Sequence, residues 1–218
     1  MDTPALFCAI GSETSNLTEQ VVHNQLSSFL DILGDRDDVL LLPPDFTRFH
    51  SQAGMVTRIL CDLYSARTQQ HDSGSPSATR RQLSPNITIL PALGTHAPMT
   101  EDEIRKMFGD RLADMKDPSP FVVHDWRNDV ETIGTAPASM VATATNGMVE
   151  KPWPAQLNRL VWSKRKSQVP SGKRPPVVIS IGQVVPHEVM GMANFNKNLL
   201  VGCGGVDAIN LSHFIGMY

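Results

Sequence analysis

The chain has 218 residues, of which 41% are hydrophobic and 19% charged, and its formal net charge is −3. That length can bury one sizeable core, or one domain and part of a second, and the balance excludes a disordered chain and a basic, polyanion-binding one. The three cysteines form no CxxC pair, and neither a leader pattern nor a run approaching the roughly 18 apolar residues of a membrane span is present; a soluble cytoplasmic protein without membrane or nucleic-acid partners is expected.

Short apolar runs alternate with helically periodic segments. "ALFCAI" reads as a buried strand; Val22, Leu26, Phe29, Leu30 and Leu33 then recur at helical spacing until Gly34. "DVLLL" is a second strand, followed by a helix marked by Met55, Val56, Ile59, Leu60 and Leu63. "TQQHDSGSPSATRRQLSPN" reads as a polar inserted loop and "ITILPAL" as a third strand. Thr100 and Glu103 form a capping box, with Ile104, Met107 and Phe108 as the apolar stripe behind it. "FVVHDW" is expected to be a fourth strand and "MVATAT" an extended piece; "PWPAQLNRLVW", a basic loop "SKRKSQVPSGKRPP" and the strand "VVISIG" follow. Strands that are apolar throughout, alternating with helices, imply an α/β fold: a Rossmann-like, mostly parallel sheet with helices on both faces. The last segment, "VDAINLSHFIGMY", begins like a helix and stops after a few turns with no Gly or Pro stop signal and no strand to receive it, so the chain is expected to be the N-terminal part of a longer protein.

In an open α/β sheet, ligands sit beyond the carboxyl ends of the strands. "DVLLL" runs into "PPDFTRFHS", which carries Asp45, Thr47, Arg48 and His50; "ITILPAL" runs into "GTH", with Thr95 and His96. "FVVHDW" ends at His124 and Asp125, and "VVISIG" leads to His187. Four strands would thus bring histidine, arginine or aspartate to one edge.

Each of these features has a plainer structural alternative. The D-x-T-R turn can be an Asx-turn beside a solvated arginine, and His96 a backbone-bonded residue ahead of a helix. His124 reads as an orienting or satisfied strand-end histidine rather than a metal ligand. His23 and His71 read as surface residues, and "SKRKSQVPSGKR" as a solvated loop. "GCGG" before a helix fits a phosphate cradle, weakly. Lys197, flanked by asparagines ten residues after His187, is either exposed or, beside a ligand edge, a covalent attachment point or anion ligand; His213, sixteen residues further, is left open by periodicity.

Taken together, "DFTR", "GTHAPMTEDEI", "PHEVMGMANFNK" and "VGCGG...INLSHFIG" resemble the nickel-pincer lactate racemase family, from about Pro44 to the end of the chain. The resemblance implies a nickel-pincer nucleotide, derived from nicotinic acid and attached to a lysine, with nickel held by carbon and sulfur atoms of the pincer and by one histidine. Carried over, Lys197 is the attachment residue and His213 the nickel ligand, a role neutral imidazole suits. His96 and His187 match two acid/base positions on opposite sides of a 2-hydroxy acid, whose hydroxyl proton they take while the Cα hydride passes to the pincer ring. Arg48 would pair with the substrate carboxylate, and Asp45 and Thr47 would help to position cofactor or substrate. Cofactor-synthesis enzymes are the implied partners.

Where much of the family has a glycine-rich "GGRK"-like segment this chain has "NFNK", which points to another branch and leaves the hydroxy acid open. The family's full-length members continue with a second domain that closes the site, so residues 1–218 are expected to be the N-terminal domain alone. Two other readings stand beside this one. The first is a non-catalytic ligand- or cofactor-binding relative. The second is a zinc-type hydrolase using His96, His124 and His187, disfavoured by the absence of an HExxH-like pair.

Overall fold

The computed structural model describes residues 7–71, 86–166, 174–187, 189 and 191–217. Its centre is a three-stranded, wholly parallel sheet in the order β2-β1-β5, with β1 Asp38–Leu42, β2 Asn86–Ile89 and β5 Val177–Ser180. β1 lies in the middle and shows why its sequence is apolar at every position: Val39 and Leu41 enter one core and Leu40 and Leu42 the other, all fully buried.

On the first face, α1 (Glu19–Leu33), α2 (Ala53–His71), α3 (Glu101–Phe108) and the short α4 (Asp110–Ala113) cover the sheet through Leu30, Leu60, Tyr64, Phe108 and Leu112. Local chemistry sets their ends. Thr18 caps α1 and Gly34, at φ 73, closes it, while Thr100 and Glu103 make the expected reciprocal capping box on α3.

The second face is covered by an antiparallel hairpin, β3 (Val130–Ala136) and β4 (Trp153–Asn158), enclosing α5 (Ala138–Ala144), and by α6 (Arg159–Lys166). Leu157, Val161 and Cys203 pack there against Leu40, Leu42 and Leu90. A two-residue ribbon, β6 (Pro186–His187) and β7 (Gly191–Met192), leads to α7 (Phe195–Leu200) and α8 (Val206–Ile215).

Four expectations are corrected. Phe7–Ile10 of "ALFCAI" are exposed and carry no strand, Ala5 and Leu6 lying outside the described residues. "FVVHDW" contributes only a bridge from Phe121 to Ile89; Phe121 meets the Phe108 ring, while Val122 and Val123 are exposed and the chain turns away to bury His124. "MVATAT" lies mostly in α5, since its alanines favour helix and Val141, the one buried residue of that helix, needs no alternating face. The last helix also has a stop: Gly216 is the C-cap of α8, and a Cβ there would meet the Val189 carbonyl oxygen at 2.5 Å. Of the polar loop expected over 68–86, residues 68–71 continue α2, Asn86 begins β2, and 72–85 lie outside the described residues.

Candidate functional site

The carboxyl ends of the three parallel strands open into one cleft of about 410 Å³. β1 delivers Asp45, Thr47, Arg48 and His50 on a 3₁₀ turn, Phe46–Ser51; β2 delivers Thr95 and His96; the segment after β5 delivers His187. Lys197 from α7 and His213 from α8 line the same cleft. The seven residues given a role in sequence, Asp45, Thr47, Arg48, His96, His187, Lys197 and His213, therefore converge, drawn from five stretches of chain by the parallel sheet and the two helices laid across its edge. His124 does not join them.

Asp45 organises the first wall. It is only 5% exposed and its Oδ1 accepts from the Thr47 backbone N–H at 3.2 Å and from Thr47 Oγ1 at 2.5 Å. Its Oδ2 lies 2.5 Å from His96 Nδ1. A buried carboxylate engaged by a hydroxyl and an amide on one oxygen presents the other to the imidazole, which places the Nδ1 proton on His96 and the lone pair on Nε2. The Asx-turn reading of "DFT" and the functional reading of Asp45 are thus one geometry.

The other histidines are fixed differently. His187 Nδ1 accepts from the Val189 backbone N–H at 3.2 Å, so its neutral ring carries the proton on Nε2. His213 Nδ1 lies 2.7 Å from the Ile209 carbonyl oxygen, one helical turn back, to which it donates. That leaves the Nε2 lone pair as the donor, as in metal-ligating histidines anchored through the opposite nitrogen.

Lys197 is half-buried on α7. The next residue, Asn198, is buried and donates to the Leu42 carbonyl at 3.0 Å and to Ser180 Oγ at 2.8 Å, fastening α7 to the ends of β1 and β5. Of the two asparagines flanking the lysine, Asn196 is exposed and Asn198 is an anchor. The anchor's signal in sequence was an amide at the position where a helix crossing a sheet edge meets terminal strand carbonyls.

The "GCGG" segment works by close packing. A Cβ on Gly202 would stand 2.6 Å from the Asn198 carbonyl oxygen, one on Gly204 2.1 Å from that of Leu200, and one on Gly205 2.5 Å from Gln156 Oε1. Gln156 Oε1 accepts from the backbone N–H groups of Asp207 and Ala208, both at 3.1 Å, and so occupies the N-terminus of α8 that a phosphate cradle would need. Burial pushes the Cys203 thiol up to about 12, as it does Cys61, so neither is a ready nucleophile.

His124 is a structural histidine. It is 3% exposed, its Nε2 donates to the Gly204 carbonyl at 3.0 Å and its Nδ1 accepts from Asn158 Nδ2 at 2.9 Å. Burial lowers its pKa below the ordinary value, with the Gly204 contact opposing. With both nitrogens used it cannot serve a zinc site with His96 and His187, and no group of three or more His, Cys, Asp or Glu able to hold a metal occurs among the described residues. His23 is half-buried in α1 rather than a surface residue; the side chain of His71 lies outside the description. The described ends of the basic loop, Lys164 and Arg174, pair with Asp38 and Asp35 at 2.5 and 2.8 Å, at the edge of the sheet opposite the cleft. No described helix is long and apolar enough to cross a membrane.

This chain is similar to a lactate racemase. Over 136 residues, 62% of its length, it is 28% identical to the lactate racemase of Thermoanaerobacterium thermosaccharolyticum, and it covers 26% of that protein. A crystal structure of a Thermotoga maritima protein matches with a TM-score of 0.70 at 23% identity, over 91% of this chain and 41% of that one. No protein-family model matches. The structural likeness establishes the α/β fold, and the sequence likeness a lactate racemase-like relationship. The chain spans about a quarter of the racemase and less than half of the solved chain.

Proposed function

We propose that this chain supplies the cofactor-bearing, proton-handling side of a 2-hydroxy-acid racemase or epimerase. In this reading Lys197 tethers a nickel-pincer nucleotide, His213 is the protein ligand to nickel, His96 and His187 attend the substrate hydroxyl, and Arg48 holds its carboxylate. The observation that carries it is the convergence of these residues on one cleft, with His96 oriented by Asp45.

The residues fit such a group. His213 offers one neutral imidazole donor set by the Ile209 carbonyl, and among the described residues it belongs to no group of three or more His, Cys, Asp or Glu able to hold a metal; that suits a metal whose other donors come with the cofactor. The bound group would supply the hydride acceptor and donor for the substrate Cα. The chain's own residues do the rest. Arg48 presents a planar fork to the carboxylate and fixes which end of the substrate faces inward. His96 Nε2 accepts the hydroxyl proton, and the imidazolium so formed is stabilised by Asp45 across the ring. His187 offers Nε2–H from β6 as a hydrogen-bond donor, and takes the proton in the opposite sense once its Val189 contact is exchanged. Two neutral imidazoles of opposite tautomer, one with a lone pair and one with a proton on Nε2, suit a reaction that runs in both directions.

Intact-protein mass spectrometry after co-expression with the cofactor-synthesis enzymes tests this reading. A nucleotide-sized adduct that disappears in Lys197→Ala and persists in His96→Ala and His187→Ala is expected. An unmodified chain without nickel would instead indicate a non-catalytic relative.

A further inference from the structure

Lys197 stands on a short helix with a costly entrance. Asn194, the N-cap of α7, has φ 60 and ψ −150, a region that glycine alone visits freely, and Phe195 follows at φ 49. Phe195 is 67% exposed, so packing of its ring does not compensate for its backbone. A conformation of this kind persists only where its surroundings hold it.

The hold is the Asn194 side chain. Its Oδ1 accepts from Ser180 Oγ at 3.2 Å and its Nδ2 donates to the Gly182 carbonyl at 3.0 Å. Its own carbonyl accepts the Lys197 N–H at 3.0 Å and the Asn198 N–H at 3.3 Å, which starts the helix. Ser180 Oγ also accepts from Asn198 Nδ2 at 2.8 Å, so one hydroxyl ties together the residues three before and one after the lysine. Space for the amide depends on residue 182 being glycine: a Cβ there would stand 3.2 Å from Asn194 Cγ and 3.3 Å from its Nδ2.

We propose that Asn194 is a positioning residue for Lys197: clamped between Ser180 and Gly182, its amide enforces a glycine-like turn that sets the lysine in the cleft. The "NFNK" segment then obtains by side-chain hydrogen bonding the backbone path that glycines would reach through conformational freedom. The importance of the position rests on Lys197 being the tether, but the clamp itself does not: a chain found without adduct leaves the following measurement standing.

The 218-residue chain, without cofactor, is treated with limiting acetic anhydride, and acetylation of Lys197 is read by peptide mass spectrometry against exposed Lys151 in wild type, Asn194→Ala, Asn194→Gly and Ser180→Ala. In Asn194→Ala the Lys197 rate, relative to Lys151, rises about five- to thirtyfold, the change in a local opening equilibrium that accompanies loss of one or two such hydrogen bonds. Ser180→Ala moves it in the same direction, and Asn194→Gly, which removes the amide but relieves the strain, moves it less than Asn194→Ala. A purely global weakening would raise both lysines together and shift the thermal midpoint. Should Asn194→Ala fail to fold, Ser180→Ala, at an exposed position, decides alone. An unchanged ratio in Ser180→Ala, or an Asn194→Gly shift as large as that of Asn194→Ala, overturns the proposal.

Discussion

Asp45 and His96 are 51 residues apart in sequence and joined by a 2.5 Å contact between Oδ2 and Nδ1 at the mouth of the sheet. The carboxylate is buried, the imidazole is about half exposed, and the contact turns a strand-end histidine into one with a defined tautomer. Asp45→Asn keeps the shape but can offer an N–H to Nδ1, which favours the tautomer with the proton on Nε2. Long-range proton–nitrogen spectra of the imidazoles at neutral pH are expected to show His96 protonated at Nδ1 in wild type and shifted toward Nε2 in the variant. For the racemase proposed above, the same substitution would lower the rate roughly 10²- to 10⁴-fold, the range over which a misdirected general base costs rate.

His213 is the single protein donor for the proposed metal, anchored through Ile209. His213→Ala should keep the Lys197 adduct while nickel content falls. The loss in metal affinity should exceed the roughly 10- to 100-fold typical of disturbing an outer hydrogen bond to a ligand. Metal analysis beside intact mass separates the two; nickel retained at full stoichiometry would remove His213 from the site.

His124 predicts a pH dependence of stability. Its folded pKa is lowered by burial, so below its ordinary value of 6.5 the unfolded chain binds a proton that the folded chain resists. Its contribution is complete above about pH 6.5 and declines as the pH falls through the interval down to the folded value. Denaturant unfolding between pH 7.5 and 5.5 should show that decline in wild type. His124→Gln should flatten it and lower stability at pH 7.5 by roughly 2–4 kcal/mol, because Asn158 and the Gly204 carbonyl lose well-placed partners in a buried site.

Gln156 caps α8 from a neighbouring strand. Gln156→Leu leaves two helix-terminal N–H groups without their acceptor and should cost about 1–2 kcal/mol, comparable to the loss of an N-cap side chain. Gly205→Ala, whose Cβ would meet Gln156 Oε1 at 2.5 Å, should cost a similar amount by displacing the same cap. Urea midpoints measure both. Added phosphate giving no specific protection of the unsubstituted chain agrees with a helix end already taken by a side chain.

Much of this architecture is local and therefore written in the residues. "DVLLL" is apolar at every position because both of its faces are covered, and it forms β1 over the expected span. The Thr100–Glu103 box and Gly34 end their helices through contacts within a few residues. Parallel strands bring their exit loops to one edge, so Asp45, Thr47, Arg48, His96 and His187 were readable as neighbours from strand order alone.

Other features depended on groups far apart in the chain. "FVVHDW" has the composition of a strand, yet His124 finds its two hydrogen bonds on Asn158 and Gly204, and satisfying a buried imidazole drew the segment off the sheet. "GCGG" has the composition of a phosphate loop, but Gln156 reaches the helix end first. Asn194 and Asn198 look solvated in sequence, and only the approach of α7 to Ser180, Gly182 and Leu42 makes them anchors. The sequence alone determined the central strand, the capped helices and the edge that collects the reactive side chains, because periodicity, caps and strand direction act within single segments. Which polar groups act as ligands, caps or clamps was decided by tertiary structure, because a buried donor or acceptor must be paired with whatever distant group the fold brings within about 3 Å.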